Sequence, residues 1–262
     1  MCAICGCDDH PSEGHAGHHH HDDGHVHAPD EGSRILKLEH AVLEKNDRYA
    51  AENRGFFAGR GVFAVNLWSA PGSGKTSLIE RTARDVGAEL GLAVIEGDLA
   101  TDRDAARVRE AGADVVQINT GAVCHLDAHM VGHALEDLSP KPGSVLFIEN
   151  VGNLVCPAMF DLGERERVVV FSVTEGEDKP IKYPHIFARS TVVVFSKIDL
   201  LAHVPFDLEL AKKFVREVCP RAKVFSLSSQ SGEGLEAFYG WVREGAVAAR
   251  SPRRAHEKGT AG

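Results

Sequence analysis

Residues 69–77, SAPGSGKTS, place two glycines, a lysine and a threonine hydroxyl within five positions, the set a phosphate group needs around it. Gly72 and Gly74 let successive backbone N–H groups turn inward, Lys75 adds a point charge at the β/γ oxygens, and Thr76 offers its hydroxyl to Mg2+. Ser73 and Ser77 complete the nucleotide-binding run. Ser69 stands where the pattern G-x-x-x-x-G-K-[ST] has its first glycine. Three acids downstream fit the same chemistry. Asp98, at the end of LAVIEGD, is placed to bind Mg2+ or position water, with Asp104 as the weaker choice and helix capping as the alternative for both. Glu149, at the end of SVLFIE, is placed to sense the γ-phosphate or its metal, with a solvated strand end as the alternative. In VVVFSKIDLL, Lys197 and Asp199 occupy the lysine and aspartate positions of the guanine pattern N-K-x-D, in which the acid accepts from the base and the lysine stem covers it. Ser196 replaces the asparagine, which loosens one anchor, and GTP is favoured over ATP. SLSSQSGEGL resembles a further base-contacting loop.

A second chemistry is carried by cysteine and histidine. Cys2, Cys5 and Cys7 combine C-x-x-C with C-x-C, three soft ligands compatible with nickel. Eight histidines follow between positions 10 and 27, among them His18, His19, His20 and His21, interspersed with Gly, Asp and Glu. The interruptions distinguish this tract from a cloning tag and favour metal binding. Neutral imidazoles coordinate, so uptake weakens below pH ~6.5. In the body, Cys124 and His125 are adjacent after one strand, and Cys156 follows the next. If those strands are parallel neighbours, all three residues open on one sheet edge. Two thiolates and an imidazole suit Zn2+ or Ni2+ and leave one coordination position for water or a second subunit. Cys219 reads as a buried packing residue.

These groups need a frame. From Gly61 onward, seven apolar runs of strand length alternate with amphipathic stretches, which predicts a doubly wound α/β domain with a mostly parallel sheet. The expected organisation is a flexible Cys/His tail over 1–32, an amphipathic helix over 33–56 docked through Ile35, Leu38, Val42 and Leu43, the nucleotide-binding domain over 57–248, and a frayed end over 249–262. Net charge is −9, yet residues 1–33 hold seven carboxylates and neither Lys nor Arg. The remainder is close to neutral without a basic stripe, which argues against nucleic acid as the main partner. No apolar run approaches the ~18 residues of a membrane span, and the N-terminus lacks the charge and apolar pattern of a signal peptide. A cytoplasmic protein with reduced thiols is expected.

The P-loop together with NTGAVCHLDAHMV, IENVGNLVCPA, TEGEDKPIKYP and the Cys/His tail closely resembles the HypB family. The resemblance spans about residues 35–245. It implies a P-loop GTPase of the class that dimerises across bound nucleotide. Slow GTP hydrolysis, nickel delivery to [NiFe] hydrogenase, and transfer to a HypA-like chaperone and the hydrogenase large subunit are likewise implied. The family's nucleotide chemistry would fall on Lys75, Thr76 and Asp98. Two other readings compete: a nickel buffer with a vestigial nucleotide site, and a relative serving another metalloenzyme such as urease. Under the leading reading, motion that tracks the γ-phosphate reshapes the Cys124, His125 and Cys156 site.

Overall fold

The computed structural model of the chain describes residues 31–98, 103–121 and 123–251, with side chains described from residue 40 onward. Cys2, Cys5, Cys7 and the histidine tract, including His18, His19, His20 and His21, lie outside the described residues. The chain divides into residues 1–45 and 46–262. In the first unit the described residues form the start of helix α1 (Glu31–Arg60), where His40 Nδ1 lies 3.4 Å from Glu44 one turn on.

Seven strands follow in the second unit: β1 (Phe63–Ser69), β2 (Ala93–Asp98), β3 (Asp114–Asn119), β4 (Val145–Glu149), β5 (Glu166–Ser172), β6 (Val192–Ser196) and β7 (Lys223–Ser226). They form one sheet in the order β3-β2-β4-β1-β5-β6-β7, with every pairing parallel. The crossovers contain α2 (Lys75–Leu90), α3 (Arg103–Glu110), α4 (Ala128–Leu138), the short α5 (Lys179–Lys182) and α6 (Pro184–Arg189), and α7 (Leu208–Val218). Helix α8 (Leu235–Arg250) follows β7.

Strand side chains alternate between faces, and that period places two apolar clusters on opposite sides of the central strands. Phe63, Val65, Leu67, Val168 and Val170 point into one apolar cluster with Leu78 and Val86 of α2 and Phe238 and Trp241 of α8. Trp68, Val169 and Phe171 point into the other with Phe187 of α6 and Val215 of α7. Both faces of the central strands are therefore apolar, as parallel sheets require. Among the described residues, no helix is long and apolar enough to cross a membrane.

Two expectations need correction. Of the expected docking residues Val42 is 38% exposed, Leu43 is half-buried, and the side chains of Ile35 and Leu38 lie outside the described residues; among the described side chains the buried stripe of α1 is Asn46, Ala50, Asn53 and Phe57. Two of those four are amides because the surface they meet is backbone. Asn46 Nδ2 donates to Asp161 O at 2.8 Å and Asn46 Oδ1 accepts from Ala128 N at 2.9 Å. Asn53 Nδ2 donates to Ala128 O at 2.8 Å and Leu162 O at 3.1 Å. Hydrophobic periodicity cannot register a stripe of that kind. Strands β3 and β4, expected to be neighbours, are separated by β2. Their loops still open on one edge, because all seven strands point the same way.

Asn53→Ala leaves two buried carbonyls without their donor, an effect of about 1–3 kcal/mol. The variant's urea midpoint is expected to fall by that equivalent with an unchanged m-value.

Candidate nucleotide and metal site

The C-terminal ends of the strands carry the polar residues. Beyond β1 the chain turns through Gly72 (φ 74°) and Gly74 (φ 94°), left-handed conformations that suit glycine, and enters α2 at Lys75. The Lys75 ammonium is buried and donates to Ser69 Oγ at 2.7 Å. Ser69, the residue in place of a glycine, thus provides an oxygen that holds the lysine along the loop. Burial pushes the Lys75 pKa down, opposed by the nearby carboxylates of Glu149, Glu175, Asp104 and Asp98.

Thr76 Oγ1 lies 2.7 Å from Glu149 Oε1 and 3.2 Å from Asp104 Oδ2. Arg107 holds the other Asp104 oxygen at 3.1 Å. Asp98, at the end of β2, lines the same cavity of about 430 Å3. The hydroxyl and carboxylates are hard oxygen donors, the set Mg2+ takes. Glu149 Oε2 is buried with no hydrogen-bond partner among the described residues, and burial pushes the Glu149 pKa up. These features fit a divalent cation.

Glu96 adds a carboxyl that sequence reasoning missed. It is the register partner of Glu149 across β2 and β4 and is 4% exposed. Burial, reinforced by Glu149, pushes its pKa up to about 8. The signal was present in VIEGD, where an acid two positions before Asp98 shares its strand face.

The base side is a contiguous cavity of about 580 Å3, lined by Lys197, Asp199, Ser228, Ser229 and Gln230 with Ser77 and Arg81 of α2. Its size suits a nucleoside. Ser196 Oγ donates to Ser73 O at 2.6 Å, and Lys197, itself left-handed at φ 60°, donates to Gly72 O at 2.6 Å. The serine in the asparagine position therefore braces the base-side loop against the glycine loop.

Nearby, Cys124, His125 and Cys156 present ligand atoms that all lie within 4.8 Å of one another. The two cysteines are not joined by a disulfide, and Cys124 Sγ lies 3.0 Å from Cys156 Sγ. His125 is buried and stacks on Phe160 with ring centroids 4.0 Å apart. Burial lowers its pKa and favours the neutral, coordinating imidazole. Asn153 Oδ1 receives Val155 N at 2.7 Å and Cys156 N at 3.2 Å, fixing the turn that presents the thiol. Cys219 is apart from this cluster, buried with its thiol on Ser190 O.

A strand, glycine loop and helix cradle with acidic strand ends and a separate base-side loop defines a P-loop GTPase. Residues 63–226 match the family described as CobW/HypB/UreG, nucleotide-binding domain. The chain is 49% identical to the hydrogenase maturation factor HypB of Rhizobium leguminosarum bv. viciae, over 94% of this chain and 97% of that protein. HypB of Archaeoglobus fulgidus superposes with TM-score 0.73 at 42% identity, covering 78% of this chain and all of that one. HypB of Helicobacter pylori, crystallised in complex with nickel, gives TM-score 0.73 at 37% identity over 80% and 99%. The chain belongs to the HypB family of hydrogenase maturation factors.

A carboxyl whose pKa rises on folding holds its proton more tightly in the folded chain, so its contribution is fullest in acid and fades as pH climbs through about 8. In nucleotide-free protein without Mg2+, Glu96→Gln is expected to raise stability at pH 8.5 by about 1–3 kcal/mol. At pH 5 the difference should shrink, as read by urea unfolding at both pH values.

Proposed function

We propose that the chain hydrolyses GTP to GDP and phosphate and uses the nucleotide state to control an ion held by Cys124, His125 and Cys156 during [NiFe] hydrogenase maturation. The observation that carries this reading is the convergence of two thiols and one buried imidazole within 4.8 Å, on loops that leave the same sheet edge as the phosphate cradle. Nickel is the cargo, and Zn2+ suits the same ligands. The nickel complex of the Helicobacter pylori relative supports the choice.

For phosphoryl transfer, Gly72, Ser73 and Gly74 supply backbone N–H groups, Lys75 neutralises charge on the β/γ oxygens, and Ser77 and the α2 N-terminus extend the cradle. Thr76 and Asp98 would hold Mg2+, with Glu149 and Asp104 close enough to bind it or its waters. The cation supplies positive charge against the transferring phosphoryl group. Lys197 and Asp199 select the guanine ring. Catalysis is positioning and electrostatics, with no covalent intermediate on the protein.

Three protein ligands leave the ion a further position, which a second subunit would fill in a GTP- and metal-dependent homodimer. The Cys/His tract, including Cys2, Cys5, Cys7 and His18–His21, takes up or stores nickel in the cytoplasm. A HypA-like chaperone and the hydrogenase large subunit are the recipients.

Lys75→Ala is expected to lower GTP hydrolysis at least about 100-fold, the scale of losing one main electrostatic group. In a deletion strain the variant should fail to restore hydrogenase activity while total cell nickel stays normal; restored activity would make the protein a buffer. Light scattering should show a shift from monomer towards dimer with Ni2+ and a non-hydrolysable GTP analogue, and an unchanged mass would remove the shared site.

A further inference from the structure

Control of an ion by nucleotide needs a physical joint between the phosphate cavity and the three ligands. Resting on that reading of the function, we propose that Asn150 is this joint, a positioning residue that carries displacement of the β4 end into the loop bearing Cys124 and His125. Asn150 is 1% exposed and directly follows Glu149, whose carboxyl contacts Thr76. Its Oδ1 accepts two backbone N–H groups, Leu126 N at 3.1 Å and Val151 N at 3.0 Å. Its own N–H donates to Leu67 O at 3.1 Å, and its Nδ2 reaches Asn66 Oδ1 at 3.5 Å.

Leu126 is the residue after His125. One amide oxygen therefore ties the loop that presents two ligands to the strand end that presents the carboxyl beside Thr76. The tie cannot slip freely. Releasing it leaves a buried N–H without its acceptor. Leu126 is also fully buried against Gly97, where a Cβ would come 2.7 Å from Leu126 Cγ. Held between β2 and Asn150, Leu126 follows whichever strand end moves.

The third ligand is reached from the same residue. Val151 and Gly152 run on from Asn150, and a Cβ on Gly152 would lie 3.0 Å from Pro71 Cα, so this segment rests on the glycine loop. Asn153 then orients Cys156. Displacement at the phosphate end thus reaches Cys156 along the chain and Cys124 and His125 across the Asn150 amide. Loss of the amide would separate the two branches.

The test uses the full-length chain with Cys2, Cys5 and Cys7 changed to Ser, so that nickel–thiolate charge-transfer absorption reports the body site. NiCl2 is titrated with Mg2+ and either GDP or a non-hydrolysable GTP analogue. In this background the two nickel affinities are expected to differ about five-fold or more. Asn150→Ala should bring their ratio to within about two-fold of one, and by reciprocity nickel should lose its effect on relative GDP and analogue affinity by the same factor. A ratio undiminished in Asn150→Ala overturns the proposal. Should that variant lack a cooperative melt, Asn150→Ser is compared instead, and a ratio above half the background value overturns it. A ratio of one in the background itself removes nucleotide control of the ion, a failure seen before Asn150 is changed.

Discussion

All-parallel pairing is the constraint from which the chemistry follows. Seven strands running one way must release their chains at one edge, where each following loop carries backbone polar groups that the ladder does not satisfy. The glycine loop leaves β1 there, Asp98 ends β2, Glu149 ends β4 and Lys197 follows β6. Cys124 and Cys156 belong to the loops after β3 and β4, so their meeting is a further result of the same polarity. An antiparallel arrangement of the same elements would divide these groups between two ends of the molecule.

Carboxylates outnumber cationic side chains in the phosphate-side cavity. Glu96, Glu149, Asp98 and Asp104 crowd a cavity whose positive lining groups are Lys75, Arg107 and Lys197. Burial acts on acids and base in opposite directions, raising Glu96 and Glu149 and lowering Lys75. Both shifts reduce the charge the site carries by itself. A divalent ion would favour the ionised carboxylates and a polyphosphate the charged Lys75, opposing both shifts. On the proposed function, filling of the nucleotide site would change the charge at the end of β4.

The seven strands, the glycine loop and the Cys124, His125 and Cys156 set were legible because each rests on local pattern: apolar runs, fixed spacing, or residue types uncommon elsewhere. Glu96 was harder to see, since an acid inside an apolar strand gains meaning only when β4 supplies Glu149 opposite it. Asn46, Asn53 and Asn150 were invisible for a related reason. An asparagine in sequence reads as turn or surface, and here each is buried because its amide completes the backbone of a distant loop. Strand order was equally beyond periodicity, which finds strands without saying which lie side by side. Pairing β2 between β3 and β4 is a choice made by long-range packing.

Ser196 and Lys197 latch the base-side loop to the carbonyls of Ser73 and Gly72 by two bonds of 2.6 Å each. The surfaces that meet opposite ends of a nucleotide are thereby fixed at one separation, like the jaws of a locked caliper. A ligand would be gauged by its span from ring to phosphate before any single contact discriminates it, and Ser196, at the asparagine position of the guanine pattern, is itself half of the lock.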